Sequence, residues 1–141
     1  MIQVEIGCDH AGYELKEWLK SAFSGKVDWN DHGTFSLDST DYPDYAHATA
    51  NAVLANNSKG ILICGSANGV CMTANKHAGI RAALCWSKEI AALARQHNDA
   101  NIVCIPARFL SREDAAEIVD VFLNTVFEGG RHANRVEKIN C

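Results

Sequence analysis

The sequence predicts an α/β fold, a parallel sheet covered by helices, and three observations lead there. Short strand-like apolar runs alternate with segments of helical character along the whole chain. The 141 residues suit one domain with room for a sizeable core. The composition, 48% hydrophobic and 21% charged, is that of an ordinary globular protein.

The first run, "IQVEIGC", precedes a helix on which Leu15, Trp18, Leu19, Ala22 and Phe23 recur at steps of three and four and form one apolar stripe. The second run is "KVDWN"; Tyr45, Ala46, Thr49, Ala52 and Val53 then mark a helix beginning after Pro43. "GILICG" is the third, ending at Cys64 in a break of small and polar residues, "GSANG", before a further helical segment. After the fourth, "GIRAALC", Ser87 and Glu89 suit the first turn of a helix carrying Ile90, Leu93 and Ala94. "NIVCIPA" is the fifth. Ser111 with Asp114 then resembles a capping box that opens a helix on Ala115, Ile118, Val119, Phe122 and Leu123. The tail "FEGGRHANRVEKINC" differs in kind, because a Gly-Gly break releases a short basic segment whose large apolar anchors are Val136 and Ile139. An isolated helix shorter than ~12 residues is marginal in water, so this segment needs a surface, on its own domain or on a second subunit.

Composition narrows the function. A net charge of −4 argues against general nucleic-acid binding, which calls for a basic surplus. No apolar run approaches the ~20 residues that cross a bilayer, and the opening "MIQVEIGCDH" lacks the pattern of an export signal, so the expected location is the cytoplasm, with no membrane role. The six cysteines, Cys8, Cys64, Cys71, Cys85, Cys104 and Cys141, include no C-x-x-C pair, and H-E-x-x-H is missing too. Buried thiols rather than disulfides or a zinc site are expected.

In an open parallel sheet, ligands bind outside the carboxyl ends of the strands. Those ends offer Cys8, Asp9 and His10 after the first run, Cys64 to Gly69 after the third, Trp86 after the fourth and Arg108 beyond the fifth. "GSANG" matches neither the dinucleotide fingerprint nor the P-loop, but two glycines flanking small residues at a helix start let backbone N–H groups converge on an oxyanion. That position would also lower the pKa of Cys64. The same residue reads equally well as the last buried position of a strand. A tyrosine-phosphatase loop would place arginine six positions after the cysteine, and Val70 stands there. His97, at a helix end in "RQHNDAN", reads singly as a solvent-facing histidine.

Six ordered blocks, "GCDHAGYELK", "DYPDYAH", "GILICGSANG", "ANKHAGIRAALC", "ARQHNDAN" and "FEGGRHANRV", together resemble the ribose-5-phosphate isomerase B family, which includes galactose- and allose-6-phosphate isomerases, almost from end to end. The resemblance implies a Rossmann-like three-layer α/β/α sandwich with a five-stranded parallel sheet, a single sugar-phosphate isomerase domain over residues 1–141, and neither metal nor organic cofactor. It implies a homodimer or tetramer with an active site shared between subunits, residues 129–141 docking on the partner. Cys64 would be the base moving a proton between C1 and C2, His97 the acid that helps open the sugar ring, and Ser66 a relay at the sugar oxygens. Asp9, His10, Tyr42, Asn98 and the loop residues Gly65, Ala67, Asn68 and Gly69 would bind the sugar, and Arg108, Arg131 and Arg135 the phosphate.

Members that lack the cysteine use a glutamate where this chain has Val70, which leaves Cys64 as the base. Cys8 stands where serine is common, and Ser66 with Ala67 where threonine-glycine is common. The implied reaction interconverts ribose 5-phosphate and ribulose 5-phosphate through an enediolate. The rivals are a hexose 6-phosphate isomerase, a non-catalytic sugar-phosphate sensor and a thiol redox protein pairing Cys64 with Cys71.

Overall fold

The computed structural model describes residues 1–140. Five strands run in parallel: β1 (Ile2–Cys8), β2 (Val27–Asp31), β3 (Lys59–Cys64), β4 (Ala82–Leu84) and β5 (Ile102–Pro106). Between and after them lie α1 (Tyr13–Ala22), α2 (Tyr42–Asn56), α3 (Asn68–Ala74), α4 (Lys88–Asn98), α5 (Arg112–Asn124) and α6 (Arg131–Glu137). The strand order is β2-β1-β3-β5-β4. The expected α/β class and five-stranded parallel sheet are therefore present.

Side-chain alternation along the central strands builds two cores. Ile61 and Ile63 of β3, with Val4 and Ile6 of β1 and Val103 and Ile105 of β5, face α1, α4 and α5, where Leu19, Ala91, Ile118 and Phe122 meet them. Leu62 and Cys64, with Ile102 and Cys104, face α2 and α3, against Ala46, Ala50, Val53 and Val70. Close helix packing on that face requires Gly60, where a Cβ would lie 2.7 Å from Val53. This is a three-layer sandwich.

The fourth apolar run yields only three strand residues, Ala82–Leu84, each half-buried. As an edge strand, β4 pairs with β5 alone, and its neighbours Arg81 and Cys85 add only isolated backbone bonds on that side, such as Cys85 N–H to the carbonyl of Cys104 at 3.0 Å. α2 starts at Tyr42, two residues earlier than the sequence reading has it, so that Pro43 falls in its first turn, where the ring costs no hydrogen bond.

Between β2 and α2 runs a loop over residues 32–41, tied down by a buried ion pair. Lys16 of α1 has no exposed surface and donates to both oxygens of Asp31, at 2.7 and 2.9 Å, and to the carbonyl of Thr34. Lys20 reaches the same carboxylate at 2.8 Å. Burial alone would raise the Asp31 pKa, but the two ammonium groups and the N–H of Gly33 hold it below the usual value. The far end of the loop supplies the backbone N–H of Thr40, which donates to Nδ1 of His10 at 3.2 Å.

Candidate active site

Chain order places a topological switch between β1 and β3: after β1 the chain moves outward to β2, and after β3 it moves the other way. The carboxyl ends of these two strands diverge there and open a crevice, the place where open α/β sheets bind ligands. A cleft of about 380 Å³ lies at that point, lined among others by Asp9, His10, Tyr42, Cys64, Ser66 and Arg108.

Each group has a local reason to be where it is. Asp9 leaves β1 and caps the short 3-10 turn His10–Gly12, its Oδ1 accepting from the N–H of Gly12 at 3.1 Å, which leaves Oδ2 for a ligand. Gly12 cannot be replaced: a Cβ there would meet the carbonyl oxygen of Ile63 at 2.6 Å. Because Nδ1 of His10 accepts from Thr40, the neutral ring carries its proton on Nε2. Tyr42 begins α2 and lays its ring against Gly69, where a Cβ would lie 2.4 Å away. The residues just after β5 are strapped to the loop after β3 by Ala107 N–H to the carbonyl of Cys64, 2.9 Å, and Arg108 N–H to that of Gly65, 3.1 Å. This aims the exposed Arg108 guanidinium over Gly65, and it forms no ion pair among the described residues.

Cys64 is the last residue of β3 and is 5% exposed, on the cleft floor. Ala67 adopts a left-handed φ of 66°, turning the chain so that the N–H groups of Ser66, Ala67 and Val70 all point at its sulfur. The sequence reading has this loop lowering the thiol pKa. In the folded subunit the balance goes the other way: burial pushes the thiol up, the three N–H donors only partly offset that, and the Asp9 carboxylate adds to the rise. The sequence reading leaves Cys64 equally open to being the last buried position of its strand, and that burial is what decides the sign.

His97 and Asn98 lie elsewhere. With parallel β4 and β5, α4 runs back from the carboxyl edge of the sheet to its amino edge, so its final residues end at the opposite end of the molecule from Cys64. Arg131 and Arg135 are exposed on α6, which packs on α4 of its own chain. The joint is made by His132, which stacks on His97 with ring centroids 4.2 Å apart and planes 11° from parallel. Glu128 approaches Nε2 of His97 at 3.8 Å and Nε2 of His132 at 3.6 Å. Burial, with the positive charges of His97 and Arg131, pushes His132 down in pKa.

The ligand atoms of His97, Glu128 and His132 lie within 4.8 Å of one another. An imidazole directs its lone pair in its own ring plane, so two stacked, nearly parallel rings cannot aim at one ion without rotating apart. As arranged, the group is not a metal centre.

The structure thus gathers Asp9, His10, Tyr42, Cys64, Gly65, Ser66, Gly69 and Arg108 around one cleft, with Ala67 and Asn68 shaping its loop, and sets His97, Asn98, Arg131 and Arg135 apart. His132 and Glu128 were missed. The signal for His132 was its place between two arginines in "GGRHANRV".

A switch-point cleft with a thiol on its floor, converging N–H donors and an unpaired arginine at its rim defines an α/β protein built to hold a small anionic ligand. Comparison narrows this class. The model of the Ribose/Galactose Isomerase family matches residues 4–139, and the chain belongs to that family. It is 51% identical to the probable ribose-5-phosphate isomerase B of Mycoplasma pneumoniae, over 96% of this chain and 91% of that protein. With ribose-5-phosphate isomerase B of Escherichia coli the identity is 45%, over 100% and 96%. The crystal structure of the Thermotoga maritima ribose 5-phosphate isomerase superimposes with a TM-score of 0.96 at 48% identity, covering 99% of this chain and 97% of that one. The Mycoplasma genitalium enzyme, solved with bound ribulose 5-phosphate, gives 0.93 at 44% identity, covering 98% and 93%.

Proposed function

We propose that this protein is an aldose-ketose isomerase that interconverts ribose 5-phosphate and ribulose 5-phosphate through an enediolate, with Cys64 as the carbon base. The observation that carries the reading is the cleft itself: a thiol ringed by N–H donors at the switch point, in a chain that matches full-length ribose-5-phosphate isomerases.

The chemistry follows from what each group can do. His97, protonated, gives a proton to the ring oxygen as the ring C–O bond breaks, the anomeric hydroxyl gives up its proton to solvent and C1 becomes a carbonyl, and solvent reprotonates His97, while Asp9 and His10 orient the hydroxyls. The Cys64 thiolate then takes the proton from C2 of the open aldose and becomes a thiol, and the electron pair flows to the carbonyl oxygen. Loop N–H groups stabilise the resulting oxyanion. Ser66 relays a proton between O2 and O1, and the thiol returns its proton to C1, giving the ketose and regenerating the thiolate. The phosphate, held by arginines through charge-assisted forks, fixes the reacting carbons against the sulfur.

This scheme needs His97 and Cys64 in one site, and they stand at opposite ends of the subunit. A two-fold dimer resolves the conflict. If the end of α4 and the tail of one subunit reach the carboxyl edge of the other, each cleft receives His97, Asn98, Arg131 and Arg135 from the partner, and two equal sites form. The tail then serves both chains, since α6 packs on its own α4 through His132 while its arginines reach across. Those cations also add to Arg108 further positive charge to favour the thiolate of Cys64.

The test is turnover of ribose 5-phosphate beside allose 6-phosphate and galactose 6-phosphate by wild type and Cys64→Ala. Wild type turns over the pentose phosphate fastest, and the variant loses at least ~100-fold in kcat while still binding substrate, the usual scale for removing a general base. Preference for a hexose phosphate would refute the substrate, and full activity of the variant would refute the base.

A further inference from the structure

A second cavity, of about 520 Å³, opens at the amino edge of the sheet, the end opposite the Cys64 cleft. It lies where α2 and α4 finish and β1 and β3 begin, and three cations converge on it: Lys59, Arg81 and Arg95. One carboxylate faces them. Asp99 spends Oδ1 on Nη1 of Arg95, at 2.9 Å, and Oδ2 on Nη2 of Arg81, at 3.2 Å. Glu5, which Ser58 reaches from the cavity wall at 2.8 Å, is also engaged by Asn30 and His32.

Each of the three cations keeps a donor that no described residue uses. Arg95 is 7% exposed and uses Nε on the carbonyl of Thr125 and Nη1 on Asp99 and the carbonyl of Ala100, so Nη2 is free. Arg81 uses Nε on the carbonyl of Asp99 and Nη2 on its carboxylate, so Nη1 is free. Lys59 makes no hydrogen bond or ion pair among the described residues, and burial, followed by the charge of Arg95, pulls its pKa below the usual lysine value. A lysine carried into a half-buried wall beside an arginine, with no carboxylate of its own, is destabilised unless an anion joins it.

We propose that this cavity is a second anion site, taking the phosphate group of a small phosphorylated metabolite between Lys59, Arg81 and Arg95, separate from the catalytic cleft. Its volume falls in the range of small-molecule sites, ~300–1,000 Å³, and Ser58 and Asn101 add neutral hydrogen-bonding groups to its wall. The site does not rest on the proposed isomerase reaction, since none of its residues belongs to that machinery. It is assembled from four separate elements and the loops between them, which is why no single stretch of sequence announces it.

The competing account is that these cations serve only the carbonyl ends of α2 and α4, where positive charge is favourable in any protein. Titration of uniformly 15N-labelled wild type with inorganic phosphate, and separately with glycerol 3-phosphate, distinguishes them residue by residue. The expected result is saturable shifts of the backbone amides of Ser58, Lys59 and Asn101, in addition to those of Gly65 to Gly69 in the catalytic cleft. Lys59→Gln weakens the first set by ~tenfold or more, as loss of a charge-assisted bond should, and leaves the second set in place as an internal check of folding. Lys59→Arg restores it. Tighter binding of glycerol 3-phosphate assigns the site to an organic phosphate, and equal binding assigns it to free phosphate. Absence of saturable shifts at Ser58, Lys59 and Asn101, or identical curves in wild type and Lys59→Gln, would overturn the proposal.

Discussion

At the residue scale, the protonation of Cys64 decides whether the cleft can do carbon-acid chemistry. Within one subunit the thiol is buried beside the carboxylate of Asp9, and both raise its pKa against the pull of three backbone N–H groups. A base in that state is largely protonated near neutral pH, so something else must shift it if the enediolate mechanism is right. The proposed dimer brings cations of the partner to the sulfur, which yields a direct prediction. The pH midpoint for alkylation of Cys64 by iodoacetamide, followed by mass spectrometry, moves upward in Arg131→Ala and in Arg135→Ala relative to wild type, because each change removes positive charge that favours the thiolate. Unchanged midpoints in both variants would place those cations away from the thiol. The sequence leaves this sign open: the residues of "ICGSANG" offer both the N–H donors and a buried strand end, and only the fold sets their balance and brings Asp9 beside the thiol.

At the element scale, the catalytic groups depend on structures that have no chemistry of their own. The loop over residues 32–41 holds His10 through Thr40, and the loop itself is anchored where Lys16 and Lys20 of α1 meet Asp31 at the end of β2. Asp31→Asn leaves the fully buried Lys16 ammonium without its counter-charge, and breaking such a pair costs ~3–5 kcal/mol. The expected outcome is a loss of that order in urea unfolding, with m unchanged. The pH dependence has a definite sign. The folded pKa of Asp31 lies below its unfolded value, so its contribution is fully present above the unfolded carboxylate pKa, ~3.9, and is lost as pH falls through the folded pKa. Wild type should therefore lose stability below about pH 4 more steeply than Asp31→Asn, as read by urea midpoints at successive pH values. Equal slopes would remove Asp31 from the acid limb.

The elements themselves were largely legible in the sequence. The five apolar runs became the five strands, and the stripes of Leu15, Trp18, Leu19 and Phe23, without the exposed Ala22, and from Ala115 to Leu123 became the faces of α1 and α5 that meet the sheet. Where the reading and the structure differ, pairing decides: "GIRAALC" has strand composition over seven residues, yet only Ala82–Leu84 form the strand, because β4 lies at the edge and has β5 on one side alone. His132 was overlooked because its role is contact with His97, a residue 35 positions earlier, and no local pattern records such a stack.

At the scale of the whole molecule, parallel topology determines what one subunit can and cannot do. A helix that joins parallel strands must return the chain from the carboxyl edge to the amino edge, so every residue at the end of α4 is carried away from Cys64. No rotation of side chains closes that distance: α4 spans 11 residues, about 16 Å at ~1.5 Å per residue. Either His97 has no part in the reaction, or it acts in the cleft of another copy. Complementation separates these alternatives. Cys64→Ala and His97→Gln, each purified alone, have two defective sites per dimer and low turnover. Mixed in equal amounts and allowed to exchange subunits, half of the dimers become mixed, and in a two-fold arrangement each mixed dimer carries one site with both lesions and one with neither, so activity recovers to about a quarter of wild type. If both residues served the same chain's cleft, mixing would restore nothing, since every site would keep one lesion. Recovery with exchange, and its disappearance when the subunits are mixed too briefly to exchange, is the outcome that a shared site requires.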